Sequence, residues 1–228
     1  MTDAFGEFSE RYLAEHPSVT LAFNFAGSNQ LATQIGADAP VDVFASANPE
    51  QMEAVIAAGR IDAGAPAVFA TNRLVVIYPV DNPGDFASLQ DLRNPGILLV
   101  LAAEEVPVGR YSLAFLDAAS ADPAFGESFK SEVLANVVSY EENVRAVLNK
   151  VLLGEADAGI VYTSDLAAVP GVGHLDIPDA LNSIAHYPIA VLNDSPQQAA
   201  AQSFVDFVLS AEGQQILATY GFGAGTPQ

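Results

Sequence analysis

Apolar positions at Ala4, Phe5, Phe8, Tyr12 and Leu13 recur at helical spacing and predict a first helix, capped by Thr2 and ended by His16-Pro17. Residues 19–25 have the β-branched and aromatic character of a buried strand, after which Leu31, Ala32 and Ile35 return to helical spacing. Residues 41–45 read as a short apolar strand, and Asn48-Pro49 opens a helix that runs through Ala58 to a Gly59 cap. Strand, helix, strand, helix in that rhythm predicts a mostly parallel sheet covered by helices. Further strands are expected over 73–79, 97–101, 137–140, 158–162 and 184–192. Helices are expected over 86–92, 108–119, 129–134, 143–153 and 212–220, with others starting at Ser164 and at Ser195-Pro196. The turn cluster Asp81-Asn82-Pro83-Gly84 lies near a first crossing between two α/β lobes, and the strand over 184–192 makes the return. The division expected is a first lobe of 1–76 and 188–228 and a second of 77–187.

Composition narrows the class. Half of the 228 residues are hydrophobic and 16% are charged, the balance of a globular chain long enough to bury a substantial core. No apolar run approaches the roughly 20 residues of a membrane span. Eight basic against 28 acidic residues leave a formal charge of −20, which repels nucleic acid and anionic lipid. The same field repels a small anion, but screening confines it to about 8 Å at physiological salt, whereas a site acts by contact. The chain has no cysteine, which excludes disulfides and thiolate chemistry.

Four junctions offer backbone or hydroxyl donors at the carboxyl ends of strands, where open α/β sheets bind ligands. Ala26-Gly27-Ser28-Asn29 carries the chain from a strand into a helix, with a hydroxyl at Ser28 and the positive end of the helix dipole. In Val106-Pro107-Val108-Gly109, proline cannot donate, so the first free amides of the following helix belong to Val108 and Gly109. Glu142-Asn143-Val144 is another helix start, and Tyr162 closes a strand with a neutral hydroxyl. Each has a plainer reading: a capping serine, two core valines, a buried phenol. Catalysis finds little support. His16, His174 and His186 are scattered without metal-ligand spacing, and Ser28 has no recognisable base partner. Glu104-Glu105 and Glu141-Glu142 read as solvated loop ends. The chain is expected not to be an enzyme and to need no cofactor.

Several motifs in order decide between these readings. Phe25-Ala-Gly-Ser-Asn-Gln-Leu-Ala-Thr-Gln-Ile35, Ala39-Pro-Val-Asp-Val-Phe-Ala-Ser-Ala47 and Glu105-Val-Pro-Val-Gly-Arg-Tyr111 are followed by Glu142-Asn-Val-Arg145. Gly159-Ile-Val-Tyr-Thr-Ser-Asp165, Tyr187-Pro-Ile-Ala-Val191 and Tyr220-Gly-Phe222 complete the set. Together, over residues 1–222, they resemble the periplasmic molybdate-binding proteins of ABC transporters. The resemblance implies a two-lobed type II periplasmic binding-protein fold, each lobe a mixed, mostly parallel sheet flanked by helices, with the ligand in the cleft. It implies that Ser28 and Tyr162, through their side chains, and Val108 and Val144, through backbone amides, contact the oxyanion. None of the four is a direct metal ligand. Neutral donors can hold a tetrahedral dianion without stripping a charged side chain of water. Arg145 is expected to lie behind the site or to help close the lobes, and Arg110 to be a surface residue. The implied function is capture of molybdate or tungstate by a monomer outside the cytoplasm, for the membrane permease of an ABC importer. The alternatives are a ligand-sensing domain of a transcriptional regulator and a binder of sulfate, phosphate or an organic anion. Family members begin with a strand and an Ala-Ala-Ala-Ser-like turn, whose hydroxyl also touches the anion. Met1 stands just after that point, so the first strand, one ligand hydroxyl and any signal peptide are expected to be absent from this sequence.

Overall fold

The strands sort into two sheets in a computed structural model of the chain, which describes residues 1–166, 169 and 171–225. Unit 1 is Met1–Asn72 with Ala185–Gln228, and unit 2 is Arg73–Ile184. The crossings fall at 72/73 and 184/185, where the sequence reading has 76/77 and 187/188. Residue 73 alone separates a strand of the first sheet from a strand of the second, and the polar Thr71-Asn72-Arg73 between two apolar runs marks the change.

Unit 1 opens with α1 (Thr2–Glu15), α2 (Ser28–Gly36), β1 (Val43–Ala45), α3 (Pro49–Ala57) and β2 (Ala67–Asn72). After the return it adds β8 (Ala185–Val191), α8 (Gln198–Leu209), α9 (Ala211–Thr219) and β9 (Gly223–Ala224). The sheet order is β1-β8-β2-β9, and every neighbouring pair is antiparallel. This corrects the expectation of a mostly parallel sheet here. β1 and β2 do run the same way, as the strand–helix–strand rhythm requires, but β8 arrives from far along the chain and inserts between them. Local periodicity carries no record of such an insertion. Residues 19–25 are a second correction: they form no strand, and Phe23 and Phe25 are 36% and 46% exposed. β-propensity supplies side chains that suit a sheet, but a strand also needs a ladder partner. The two rings stack on each other, and Phe23 meets Phe5 edge-on at 5.7 Å.

The core of unit 1 is aromatic on one side and aliphatic on the other. Phe5, Phe8 and Tyr12 of α1 meet Phe204 and Phe207 of α8 at ring separations of 5.4–6.3 Å. Ile35, Phe44, Met52, Val55, Ile61 and Leu192 join α2, β1, α3 and the end of β8. Arg60, almost wholly buried, donates to Asp194, Asp38 and the Ile35 carbonyl, fastening the far ends of α2 and α3 to the loop after β8.

Unit 2 contains β3 (Leu74–Pro79), a 3₁₀ turn (Leu89–Arg93), β4 (Leu99–Ala102), α4 (Pro107–Ala121) and α5 (Phe129–Ala135). It continues with β5 (Val137–Glu141), α6 (Val144–Leu152), β6 (Ala158–Tyr162), α7 (Thr163–Leu166) and β7 (Val172–Asp176). The sheet order is β5-β4-β6-β3-β7. β4 runs parallel to both β5 and β6, while β3 is antiparallel to β6 and β7. β4 and β6 are buried along their whole lengths, as their unbroken apolar runs predict for strands covered on both faces. α6 lies close on this sheet because Gly159 has no side chain. A Cβ there would stand 2.8 Å from Val147 Cγ1 and 3.1 Å from Val151 Cγ2. The Asn182 side chain accepts from the Leu74 N–H at 3.0 Å and donates to its carbonyl at 2.8 Å, tying the entry of unit 2 to its exit.

Smaller differences have local causes. Met1, not Thr2, is the N-cap of α1. α8 starts at Gln198, because the Ser195 hydroxyl donates to Asp42 and accepts from the Gln197 N–H, closing a turn ahead of the helix. β2, β7 and β9 are not read as strands from the sequence: the apolar start of β2 is short and ends in polar Thr71 and Asn72, β7 mixes polar and glycine positions, and β9 is two residues long.

Candidate oxyanion site

In unit 2, three of the expected donors lie at one end of one sheet. β5, β4 and β6 are neighbours running in the same direction, so their carboxyl ends line up side by side. Each delivers the chain into a helix: β4 into α4, β5 into α6, β6 into α7. Val108 is the second residue of α4, Val144 the first of α6, and Tyr162 the last of β6. The Ala103 N–H donates to the Glu141 carbonyl at 2.8 Å, holding the ends of β4 and β5 together.

Helix geometry readies the two amides. In α4 the first intrahelical bond runs from the Arg110 N–H to the Val106 carbonyl at 3.1 Å, which leaves the Val108 and Gly109 amides ahead of the ladder. The Val108 side chain is buried and its carbonyl accepts from Ser112 Oγ at 2.7 Å, so this turn is held from behind. Gly109 is required by contact: a Cβ would fall on the carbonyl oxygen of Ala103. In α6 the Asn143 side chain caps the Ala146 N–H at 2.9 Å, and Val144 occupies the position whose amide helix geometry leaves without an intrahelical acceptor. Tyr162 is 4% exposed, and its N–H donates to Asp165 Oδ2 at 3.0 Å.

Ser28 belongs to unit 1 and is the first residue of α2, 6% exposed. Gly27 before it takes φ −58 and ψ 138, a conformation open to any residue, and donates its N–H to Gln30 Oε1 at 3.3 Å. Ser28 Oγ accepts from the Ala47 N–H at 3.0 Å. The buried turn around Ala47 went unnoticed in the sequence beyond Asn48 as a helix start, because a backbone amide leaves no side-chain signature.

Arg110 and Arg145 are both exposed, as are Glu104 and Glu105. Glu141 is the exception. Burial raises its pKa, but hydrogen bonds from Lys150 and Ser139, with the charge of Lys150, outweigh burial and hold its carboxyl below the usual range. Lys150 Nζ lies 2.6 Å from Glu141 Oε1, which clamps α6 to β5 nearly two turns along the helix from Val144. Among the described residues no cluster of His, Asp and Glu could hold a metal ion, and no helix is long and apolar enough to cross a membrane.

A profile of the family described as bacterial extracellular solute-binding protein matches residues 1–223. The chain belongs to that family. Among relatives of this solute-binding protein, the Molybdate-binding protein ModA of Mycobacterium tuberculosis H37Rv is 40% identical over 223 residues, covering 97% of this chain and 80% of the relative. The substrate binding domain of a putative molybdenum ABC transporter from Clostridium difficile is 26% identical, with a TM-score of 0.72 over 98% of this chain and 94% of that one. The periplasmic molybdate-binding protein of Azotobacter vinelandii, 18% identical, superposes with a TM-score of 0.80 over 100% of this chain and 96% of the other, a likeness of fold. This solute-binding protein has the type II periplasmic binding-protein fold. The resemblance read from the motifs holds across nearly the whole chain.

Proposed function

We propose that this protein captures molybdate, with tungstate as an alternative ligand, outside the cytoplasm and delivers it as a monomer to the membrane permease of an ABC importer. The observation that carries the reading is the meeting of Val108, Val144 and Tyr162 at the carboxyl ends of three adjacent parallel strands. The 40% identity to a protein named for molybdate binding supports the choice of anion. The donors are the hydroxyls of Ser28 and Tyr162 and the amides of Val108 and Val144. All are neutral, so binding a dianion leaves no lysine or arginine to be desolvated. Discrimination among tetrahedral dianions then follows from how far apart the Val108, Val144 and Tyr162 donors of unit 2 stand, since the oxygens themselves are alike.

The test is thermal unfolding with molybdate, tungstate, sulfate and phosphate. A ligand that binds only the folded chain, at a hundred times its dissociation constant, stabilises by roughly 2.7 kcal/mol. For a chain of this length that is a rise of roughly 5–10 °C in melting temperature. Molybdate and tungstate are expected to give it, and equimolar sulfate or phosphate much less. A larger rise with sulfate would remove the assignment to molybdate, and no rise with any of the four would remove the oxyanion reading.

A further inference from the structure

Ser46, Ala47 and Asn48 form the turn from β1 into α3, and its polar side chains are shut away from water: Ser46 is 0% exposed and Asn48 1%. The turn is pinned on every side. The Ser46 N–H donates to the Pro188 carbonyl of β8 at 2.9 Å, and the Ser46 hydroxyl donates to the Asn48 carbonyl at 2.8 Å. The Asn48 N–H donates back to Ser46 Oγ at 3.3 Å, while Asn48 Oδ1 accepts from the Gln51 N–H at 3.3 Å. The amide enclosed by these bonds is that of Ala47, and it donates to Ser28 Oγ at 3.0 Å. A serine hydroxyl carries one proton and two lone pairs. With the Ala47 N–H on one lone pair, the Ser28 proton is turned away from that side and left to donate elsewhere. Nothing in α2 itself would impose this, because an unconstrained hydroxyl rotates freely.

We infer that Ser46 and Asn48 are positioning residues for oxyanion capture: they hold the Ala47 amide against Ser28 Oγ and so keep the Ser28 hydroxyl oriented as a donor. The inference rests on the reading of Ser28 as a ligand donor. Preorganisation of this kind strengthens binding because the anion does not have to order the hydroxyl when it arrives. The two residues never touch the ligand in this account. Their effect passes through one backbone amide and one hydroxyl, which makes it separable from a general contribution to folding.

The experiment is a double-mutant cycle on the intact chain, reading molybdate affinity by titration calorimetry and folding by thermal melts. Ser46→Ala and Asn48→Ala are each combined with Ser28→Ala. In the parent, each is expected to weaken affinity roughly three- to tenfold, the loss of part of one charge-assisted hydrogen bond. In the Ser28→Ala background, each is expected to change affinity by less than about twofold, since the hydroxyl to be oriented is gone. Asn48→Ser, which keeps an N-cap oxygen, is expected to retain parental affinity. Ser46→Cys, of nearly equal volume and with a weaker donor, carries the same expectation as Ser46→Ala where the alanine variant does not fold. Equal weakening in both backgrounds, or unchanged affinity in the parent, would overturn the positioning role while leaving the proposed function intact. A parent that does not bind molybdate, or a Ser28→Ala variant that binds as the parent does, would overturn the reading of the site and this inference with it.

Discussion

Ser28 and Tyr162 differ from the backbone donors in that a single substitution can remove each. Ser28→Ala and Tyr162→Phe delete one hydroxyl and nearly preserve shape. A hydrogen bond to a charged group contributes about 1.5–3 kcal/mol, so each change should weaken molybdate binding tenfold or more. Melting without ligand should move little, and titration of both variants against the parent is the check. If both bind as the parent does, the donor set is wrong. The amides of Val108 and Val144 cannot be deleted in this way, and alanine at either position would probe only side-chain packing, that of a core residue at Val108 and of a half-buried one at Val144. At this scale the sequence singles out Ser28 and Tyr162 as candidate donors by residue type, and Val108 and Val144 only by their places at helix starts. The Ala47 amide, with neither mark, is not singled out.

The proposed backbone donors sit at helix starts, whose positions depend on close packing behind them. Gly109 sets how near α4 approaches the end of β4, since any Cβ there meets the Ala103 carbonyl oxygen. Gly109→Ala should therefore displace the first turn of α4. The expected loss is about 1–3 kcal/mol of stability, the usual range for overpacking, together with weaker molybdate binding as the Val108 amide moves. A melt and a titration test it. Retention of both would mean that α4 can retreat without moving its donor. A second element-scale expectation concerns pH. Glu141 has its folded pKa lowered by Lys150 and Ser139 against the opposing effect of burial. Its contribution to stability is thus complete above the ordinary glutamate range and is lost as pH falls through the lowered folded value. Unfolding by denaturant from neutral pH into the acid range should show that loss, and Glu141→Gln should reduce the slope on the acid side. An unchanged slope would remove the clamp between β5 and α6 as its source.

For the whole molecule, the formal charge of −20 and an anionic ligand are of the same sign. Long-range repulsion should slow encounter at low salt, where the screening length is about 30 Å near 0.01 M, and relax by 0.15 M, where it is about 8 Å. Stopped-flow measurement should therefore show molybdate association accelerating with sodium chloride over that range, the reverse of attraction between opposite charges. A rate that falls with salt would indicate local positive potential at the point of entry. Dipoles at contact, not net charge, would then be insufficient to describe capture.

What the sequence determined by itself is the set of local elements with a strong signal and the order of the donor motifs along the chain. The buried strands β3, β4 and β6, the half-exposed strand β5, the periodic helix α6 with its Asn143 cap, and the helix starts at Pro49 and Pro107 all follow from side chains acting on their own neighbourhood. Tertiary structure decided everything that needs a partner from afar. Residues 19–25 have strand character but no ladder, because pairing is a property of two segments. β8 separates β1 from β2 and reverses the pairing of a sheet whose local rhythm reads as parallel. The alignment of Val108, Val144 and Tyr162 is set by the order β5-β4-β6, in which the middle strand comes first in the chain. The orientation of the Ser28 hydroxyl is set by an amide 19 residues away. Short-range sterics and hydrophobic periodicity are written residue by residue. Ladder partners and buried hydrogen bonds exist only once the chain has closed on itself.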